Sequence, residues 1–155
     1  MKRSLAVGGL LAAAMSWGAW GPTIVRAADS EFPVMDESHF LLAAETAVKD
    51  GDKDGAVQLY HSAIIYAPND PVPYERLAEL FVKNGQNELA QQFFALALDV
   101  QPAYAPALQG LALLDLATGN RAGAEAQREI LMRACGVTCP ETAQVEKALA
   151  AGKAP

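Results

Sequence analysis

The sequence predicts an all-α protein, built as an array of three helix-turn-helix repeats followed by a capping helix. The first observation is a period of 34 residues, which separates Gly51, Gly85 and Gly119 and also separates Pro68 from Pro102. The second is composition: 52% of the residues are apolar but only 7% are aromatic, which favours closely packed helices over a sandwich or barrel. Such a period indicates one unit stacked three times, an architecture that presents a binding surface. Two series of alanines keep the same step: Ala44, Ala78 and Ala112, and Ala56, Ala90 and Ala124.

Each repeat is predicted to contain two helices separated by its glycine. In the middle repeat, Leu77, Ala78 and Phe81 recur at the spacing of one helical face. A glycine just past a helix end accepts the positive φ that stops a helix at little cost. The predicted repeats are 37–70, 71–104 and 105–138; their first helices run over about 39–49, 73–84 and 107–118, their second helices over about 54–67, 88–101 and 122–135, and the capping helix over about 139–150.

On these residues the pattern resembles the tetratricopeptide repeat. That family places a large residue, Leu, a small residue and an aromatic on the first helix, and Ala, an aromatic, Ala and Pro on the second. The third repeat departs from the pattern, with Asp115 and Arg128 at aromatic positions and Gly136 in place of the proline. The resemblance covers residues 37 to about 138 and implies a right-handed superhelix. The matching positions are Phe40, Ala43, Ala44, Ala47, Ala56, Tyr60, Ala63 and Pro68; Tyr74, Leu77, Ala78, Phe81, Ala90, Phe94, Ala97 and Pro102; and Leu108, Leu111, Ala112, Gly119 and Ala124.

Residues 139–155 are predicted to form a capping helix and a short tail. Thr138 and Glu141 have the spacing of a capping box, which marks the start of a helix. Val145 and Leu149 lie on one face of that helix. Because an open array needs a polar-backed cap on its last repeat, we expect this helix to cover the end of repeat three.

Residues 1–28 are predicted to be a secretory signal peptide. A positive start at Lys2 and Arg3 is followed by 22 uncharged residues, and small residues mark a cleavage site after Ala27 or Ala28. We therefore expect export to the bacterial periplasm. The alternative is an inner-membrane anchor that is not cleaved, because 22 uncharged residues are long enough to span a bilayer, although a Gly-Pro pair interrupts this run.

An acidic leader, residues 29–36, is predicted to join the signal segment to the repeats, and Asp36 is the predicted N-cap of the first helix. The chain has 12 basic and 18 acidic residues, a net charge of −6. Signal cleavage would remove three basic residues and no acidic one, so no stable membrane span and a more acidic protein are expected afterwards. This charge argues against nucleic acid, which needs a basic patch, and favours basic partners.

The segment that contains Asp50, Asp52 and Asp54 begins like the calcium-binding loop of an EF-hand. The twelfth position of that loop requires a bidentate acid, but His61 occupies it. The repeat pattern also requires a helix from about Asp54, where an EF-hand loop is still non-helical. We therefore predict that these aspartates serve the turn and the helix cap and that no metal is bound, with a calcium-dependent module as an alternative.

Cys135 and Cys139 are the only two cysteines, and an even count in an exported protein favours a disulfide. The pair falls between the last repeat helix and the capping helix, where a bridge would fix the angle of the cap. The alternative is a thiol-disulfide redox protein that uses this pair, although thioredoxin-like enzymes carry the closer Cys-x-x-Cys spacing. Two ligands alone do not make a structural zinc site.

Catalytic chemistry has no support in the sequence. His39 and His61 are the only histidines and fall on different predicted helices. The sequence contains no nucleophile elbow, no phosphate-binding glycine loop and no acid pair within a supporting motif. We therefore expect a protein that is not an enzyme, with no catalytic residues and no cofactor.

The resemblance implies that the first helix of each repeat lines the inner, concave face of the superhelix, which we call the groove. Some members of the family grip a C-terminal carboxylate there with Lys and Asn, whereas this chain has Glu45, Glu75 and Glu79. We therefore expect an extended or helical protein segment with basic and apolar residues as the partner, unless these acids form only a solvated face. The expected lining residues are Leu41, Glu45, Val48, Glu75, Glu79, Val82, Gln109, Leu113 and Leu116.

The predicted function is that of a non-catalytic interaction module or scaffold in the bacterial cell envelope. A stacked array offers a continuous surface for another protein, and the signal segment directs it out of the cytoplasm. Assembly or maturation of an envelope complex is the expected setting.

Overall fold

The computed structural model describes residues 36–152, which form helices joined by short turns. The predicted signal peptide, nearly all of the leader and the last three residues lie outside the described residues. The predicted helices agree with the observed ones to within two residues at every end, and the all-α prediction is confirmed. The helices are α1 (Glu37–Asp50), α2 (Lys53–Tyr66), α3 (Val72–Lys83), α4 (Asn87–Val100), α5 (Ala105–Ala117), α6 (Arg121–Ala134) and α7 (Pro140–Ala151).

The helices pack in the order of a repeat array. Within each repeat the first helix packs against the second: α1 against α2, α3 against α4, and α5 against α6. Neighbouring repeats meet where α2 contacts α3 and where α4 contacts α5, and α7 packs against both helices of the third repeat. The glycines in the turns inside the repeats have the expected positive φ, with values of 80°, 73° and 85° at Gly51, Gly85 and Gly119.

The periodic alanines are buried in the array. Ala44, Ala78 and Ala112 on the first helices are fully buried, and so are Ala56 and Ala90 on the second helices. A methyl side chain lets two helix backbones approach, and larger residues fill the space beside it, which is how the array reaches the density of a protein core. The 34-residue period therefore records packing contacts that each repeat makes in the same way.

The last helix covers the end of the array. Val145 of α7 is fully buried and Leu149 is nearly so, and both join Leu108 and Leu131 in one hydrophobic cluster. The capping function predicted for this segment has a direct structural basis here, because its apolar face lies against repeat three. Among the helices of residues 36–152, none has both the length and the apolar character needed to cross a membrane.

The start of α7 differs from the prediction. The helix begins at Pro140 with Cys139 as its N-cap, and the predicted capping box of Thr138 and Glu141 does not form. Proline has no backbone N–H and a fixed φ, so it suits the first helical position, where no intrahelical bond is needed from it. Pro140 therefore sets the helix start one residue later than a cap at Thr138 would.

The two departures of repeat three from the aromatic pattern are explained by polar contacts. Asp115 is only 7% exposed, and the side-chain amide of Asn120 donates to its Oδ1 at 2.9 Å. Arg128 lies beside Glu146 of α7, with Nη1 3.4 Å from Oε1. The third repeat thus exchanges aromatic packing for hydrogen bonds to its own turn and an ion pair to the capping helix.

Candidate functional site

The nine predicted lining residues lie on the first helices of the three repeats, but they differ in exposure. Glu45 is exposed and Val82 is 40% exposed, whereas most of the others are half-buried. Glu75 is the exception at 3% exposure. Eight of these side chains therefore lie at or near the protein surface, and the ninth is a buried carboxyl.

Apart from Glu45 and Glu75, the lining residues fall into three groups. Glu79, Val82 and Leu113 come together around one cavity. Leu41 and Val48 pack instead against the core of the first two repeats. Gln109 and Leu116 contact the capping helix and its surroundings. The Gln109 side chain donates to Gln144 of α7 at 2.7 Å, and Leu116 packs against the hydrophobic cluster that includes Val145 and Leu149 of α7.

Glu75 is buried with an unsatisfied oxygen. Its Oε2 has no hydrogen-bond partner, and the nearest cationic atom is Nε of Arg76 at 3.6 Å. Burial is the main cause that raises the pKa of Glu75 from its ordinary 4.5 to about 7, and the neighbouring charge of Glu79 contributes in the same direction. Arg76 opposes this rise, because its guanidinium favours the charged carboxylate.

Acids from two helices converge beside α2. Burial is the main cause that raises the pKa of the Tyr60 hydroxyl, and Glu45 on α1 is the largest charge that adds to it. Glu75 and Glu79 on α3 act in the same direction. We call Glu45, Glu75 and Glu79 the acidic cluster. Arg76 is its internal counter-ion, with Nη1 3.3 Å from Oε2 of Glu79.

A cavity of about 390 Å³ opens between α3, the start of α4 and α5. Val82, Phe94, Leu113 and Leu114 supply much of its apolar wall. Its volume falls within the range of roughly 300–1,000 Å³ that is typical of ligand pockets. The polar members of its wall are Glu79, Lys83 and Asn87, and its remaining members are Gly110 and Ala117.

Gly110 is a residue of this cavity that the sequence interpretation missed. A Cβ atom at position 110 would overlap the ring of Phe94, so glycine is required for α4 and α5 to approach each other here. The repeat alignment contained a signal, because the equivalent positions hold Leu42 and Arg76 and only the third repeat has glycine. The absence of a side chain leaves room for Phe94 at the base of the cavity.

The aspartates near Gly51 serve the turn, in agreement with the preferred interpretation. Helix α2 begins at Lys53, and Oδ1 of its N-cap Asp52 accepts the backbone N–H of Gly55 at 2.9 Å. Asp50 ends α1 and Asp54 lies in the first turn of α2. This helical geometry conflicts with an EF-hand loop, which would remain non-helical through Asp54.

Cys135 and Cys139 lie in disulfide geometry, with their Cα atoms 5.6 Å apart. Cys135 is the C-cap of α6 and Cys139 is the N-cap of α7, so a bridge joins the end of one helix to the start of the next. Glu141 completes the only group of three possible metal-ligating side chains found within residues 36–152. A disulfide would occupy both sulfurs and leave only the carboxylate of this group.

Similarity to known proteins identifies the fold of the chain. No protein-family model matches the chain. Among curated proteins, the chain is 37% identical over 82 residues to Protein NPGR2 of Arabidopsis thaliana, a match that covers 53% of this chain. The match covers 11% of NPGR2, so the chain spans only a small part of that protein's length.

Solved structures of tetratricopeptide-repeat domains superimpose on most of the chain. The domain of Arabidopsis OM64 has a TM-score of 0.65 at 16% identity, over 74% of this chain and 94% of that one. The first such domain of Spaghetti (RPAP3), bound to the HSP90 peptide SRMEEVD, has a TM-score of 0.62 at 18% identity, over 74% of this chain and 94% of that one. The TPR2B domain of yeast Sti1, in complex with pHsp70, has a TM-score of 0.63 at 20% identity, over 76% of this chain and 98% of that one. The described residues therefore have the tetratricopeptide-repeat fold.

Proposed function

We propose that this protein is a non-catalytic interaction module that binds a segment of another protein in its groove. The observation that carries the proposal is the cavity in the groove, where Glu79, Val82 and Leu113 from two repeats meet. A stacked array exposes such a surface without needing catalytic groups. Two structures with the same fold hold chaperone-derived ligands, the HSP90 peptide and pHsp70, which supports the same mode of use here.

The partner segment is proposed to be basic and apolar. The peptide SRMEEVD in the RPAP3 complex ends in three acids within four residues. In this chain Glu45 and Glu79 are on the first helices, and a run of acids would meet like charge there. Basic side chains would be attracted instead, and apolar ones would be buried in the cavity.

The proposed setting is the bacterial cell envelope, in assembly or maturation of a complex. The N-terminal sequence supports export, with either a cleaved signal peptide or a retained inner-membrane anchor. A disulfide between Cys135 and Cys139 fits an oxidising compartment, where it would hold α7 on the last repeat. In this proposal the protein is a scaffold that holds a partner segment.

Capture of envelope proteins by the full chain tests this proposal. We would compare wild type with Glu79→Lys, which reverses an acid of the groove, and with Glu88→Lys, which reverses an exposed acid on the second helix of the same repeat. Glu75→Lys is unsuitable, because it would place a charge in a buried position. A partner that Glu79→Lys no longer captures and Glu88→Lys still captures would support binding in the groove. A partner kept equally by both variants contradicts it.

A redox function of the cysteine pair is the second candidate, and the local charge disfavours it. Glu141 lies beside Cys139, with Oε2 2.9 Å from Sγ. A reactive thiol must ionise, and an adjacent carboxylate opposes a second negative charge. Alkylation of the reduced protein as a function of pH tests this directly: a thiol that reacts rapidly at pH 6 would support redox chemistry, and two slow thiols would exclude it.

A further inference from the structure

The acidic cluster contains more acidic groups than the one arginine beside it can pair with. Glu75 is 3% exposed and its Oε2 has no hydrogen-bond partner. Nε of Arg76 is 3.6 Å from that oxygen, which is beyond the range of a good hydrogen bond. A buried carboxylate without full pairing costs free energy, and a closer donor would recover part of this cost. The cluster holds three acids, while one arginine serves two of them.

The apolar cavity is next to this cluster, and Glu79 belongs to both. Glu79 is one helical turn after Glu75 on α3, so the two side chains lie on the same face of that helix. Val82 continues the same face into the cavity, where Leu113 lies opposite on the wall. The carboxyl groups of Glu75 and Glu79 and the apolar cavity therefore form one continuous surface.

The spacing along α3 sets the spacing expected in a ligand. The midpoint between Glu75 and Glu79 is five residues before Val82, and a rise of about 1.5 Å for each residue makes this about 7.5 Å along the axis of α3. An extended peptide covers about 6.6 Å in two residues, and side chains two residues apart point to the same side. A helical peptide comes close to this distance, at about 6 Å, with side chains four residues apart on one face.

We infer that the groove selects a protein segment in which a lysine or arginine is followed or preceded, at a distance of about 7 Å, by a large apolar residue. The basic side chain binds between Glu75 and Glu79, and the apolar side chain fills the cavity beside Val82 and Leu113. This inference rests on the proposed function and adds the spacing of the partner's basic and apolar residues and the position at which each binds. It distinguishes the groove from one that binds acidic peptide ends.

A library of random peptides displayed on phage and selected on the immobilised full chain tests the inference. We expect enrichment of sequences in which a basic and an apolar residue are two or four positions apart. A selected synthetic peptide is then measured by calorimetry against variants. The cavity-filling Leu113→Trp should weaken binding about tenfold or more, since burial of one large apolar side chain contributes that much. Glu79→Lys should also weaken binding about tenfold or more, because it replaces the attraction for the basic residue by repulsion.

Matched controls separate binding from folding. Glu88→Lys and Leu96→Trp make the same chemical changes at exposed positions of α4 and should leave the affinity unchanged. Far-ultraviolet circular dichroism checks that each variant keeps its helices. If Leu113→Trp does not fold, Ala117→Leu fills the cavity from another part of its wall.

The outcomes distinguish the inference from the proposed function. Selection of acidic sequences, or of a free C-terminal carboxylate, would overturn the inference and leave peptide binding intact. Basic and apolar peptides whose affinity is unchanged in both groove variants would overturn it as well, because they bind elsewhere. Failure of the wild-type chain to select any peptide above a blank surface would overturn both.

Discussion

Replacing Glu75 by glutamine should remove a pH dependence of stability, because it keeps the shape of a buried side chain and removes its charge. Burial, assisted by Glu79, raises the pKa of Glu75 from 4.5 to about 7 in the folded protein. Between these two values the folded state binds more protons than the unfolded state. The stability that this group contributes is therefore greatest below pH 4.5 and falls as the pH rises to about 7.

The size of the effect follows from the same two values. At about 1.4 kcal/mol for each pH unit, the interval from 4.5 to about 7 corresponds to about 3 kcal/mol. Measurements at pH 5 and pH 8.5 sample most of this interval. The free energy of unfolding of the wild-type protein, relative to Glu75→Gln, should therefore fall by about 2–3 kcal/mol between them.

Urea unfolding followed by circular dichroism measures this difference. Glu37 needs a control, because burial, together with a hydrogen bond to Asp70, also raises its pKa to about 7. Glu37 is present in both proteins, so its contribution cancels when the two unfolding free energies are subtracted at each pH. Glu88→Gln, at an exposed position, should show the same pH dependence as wild type. A wild-type minus Glu75→Gln difference that is equal at pH 5 and pH 8.5 would refute the reasoning.

Three further predictions concern packing and the end of the array. Gly110→Ala should destabilise the protein by about 1–3 kcal/mol because its Cβ overlaps Phe94, and Phe94→Leu in the same chain should recover part of the loss in thermal unfolding. Asp115→Ala should cost about 1–3 kcal/mol in urea unfolding, and a double-mutant cycle with Asn120 should show coupling; additive effects would count against the hydrogen bond. Cys135→Ala should cost about 2 kcal/mol, because the bridge closes a very short loop, and should abolish any response of stability to reductant.

The repeat architecture was predictable because its signals are local. Gly85 ends a helix through its own backbone conformation, and Ala78 and Phe81 mark a helical face through their spacing alone. The cap at Thr138 was predicted wrongly for a local reason as well, since the preference of Pro140 for the first helical position outweighed the capping-box spacing.

The candidate site was predictable only in part. Glu79, Val82 and Leu113 were expected in the groove and do come together, but Gly110 was missed, because its importance depends on Phe94 in another repeat. The sequence placed Glu75 among the groove acids without indicating that it is buried. Its burial depends on side chains that pack around α3 from elsewhere in the chain, and a one-dimensional pattern does not report them.

The sequence by itself determined the helices, the repeat period and the acidic character of the protein. These follow from the conformational preferences of single residues, from spacing along the chain and from composition. Only the tertiary structure decided which acid is buried, where a cavity opens and how the third repeat replaces its missing aromatics. Each of these depends on the distances between side chains that are far apart in sequence, and Glu75 shows the consequence: burial is the largest cause of its raised pKa, ahead of the charges of its neighbours on α3.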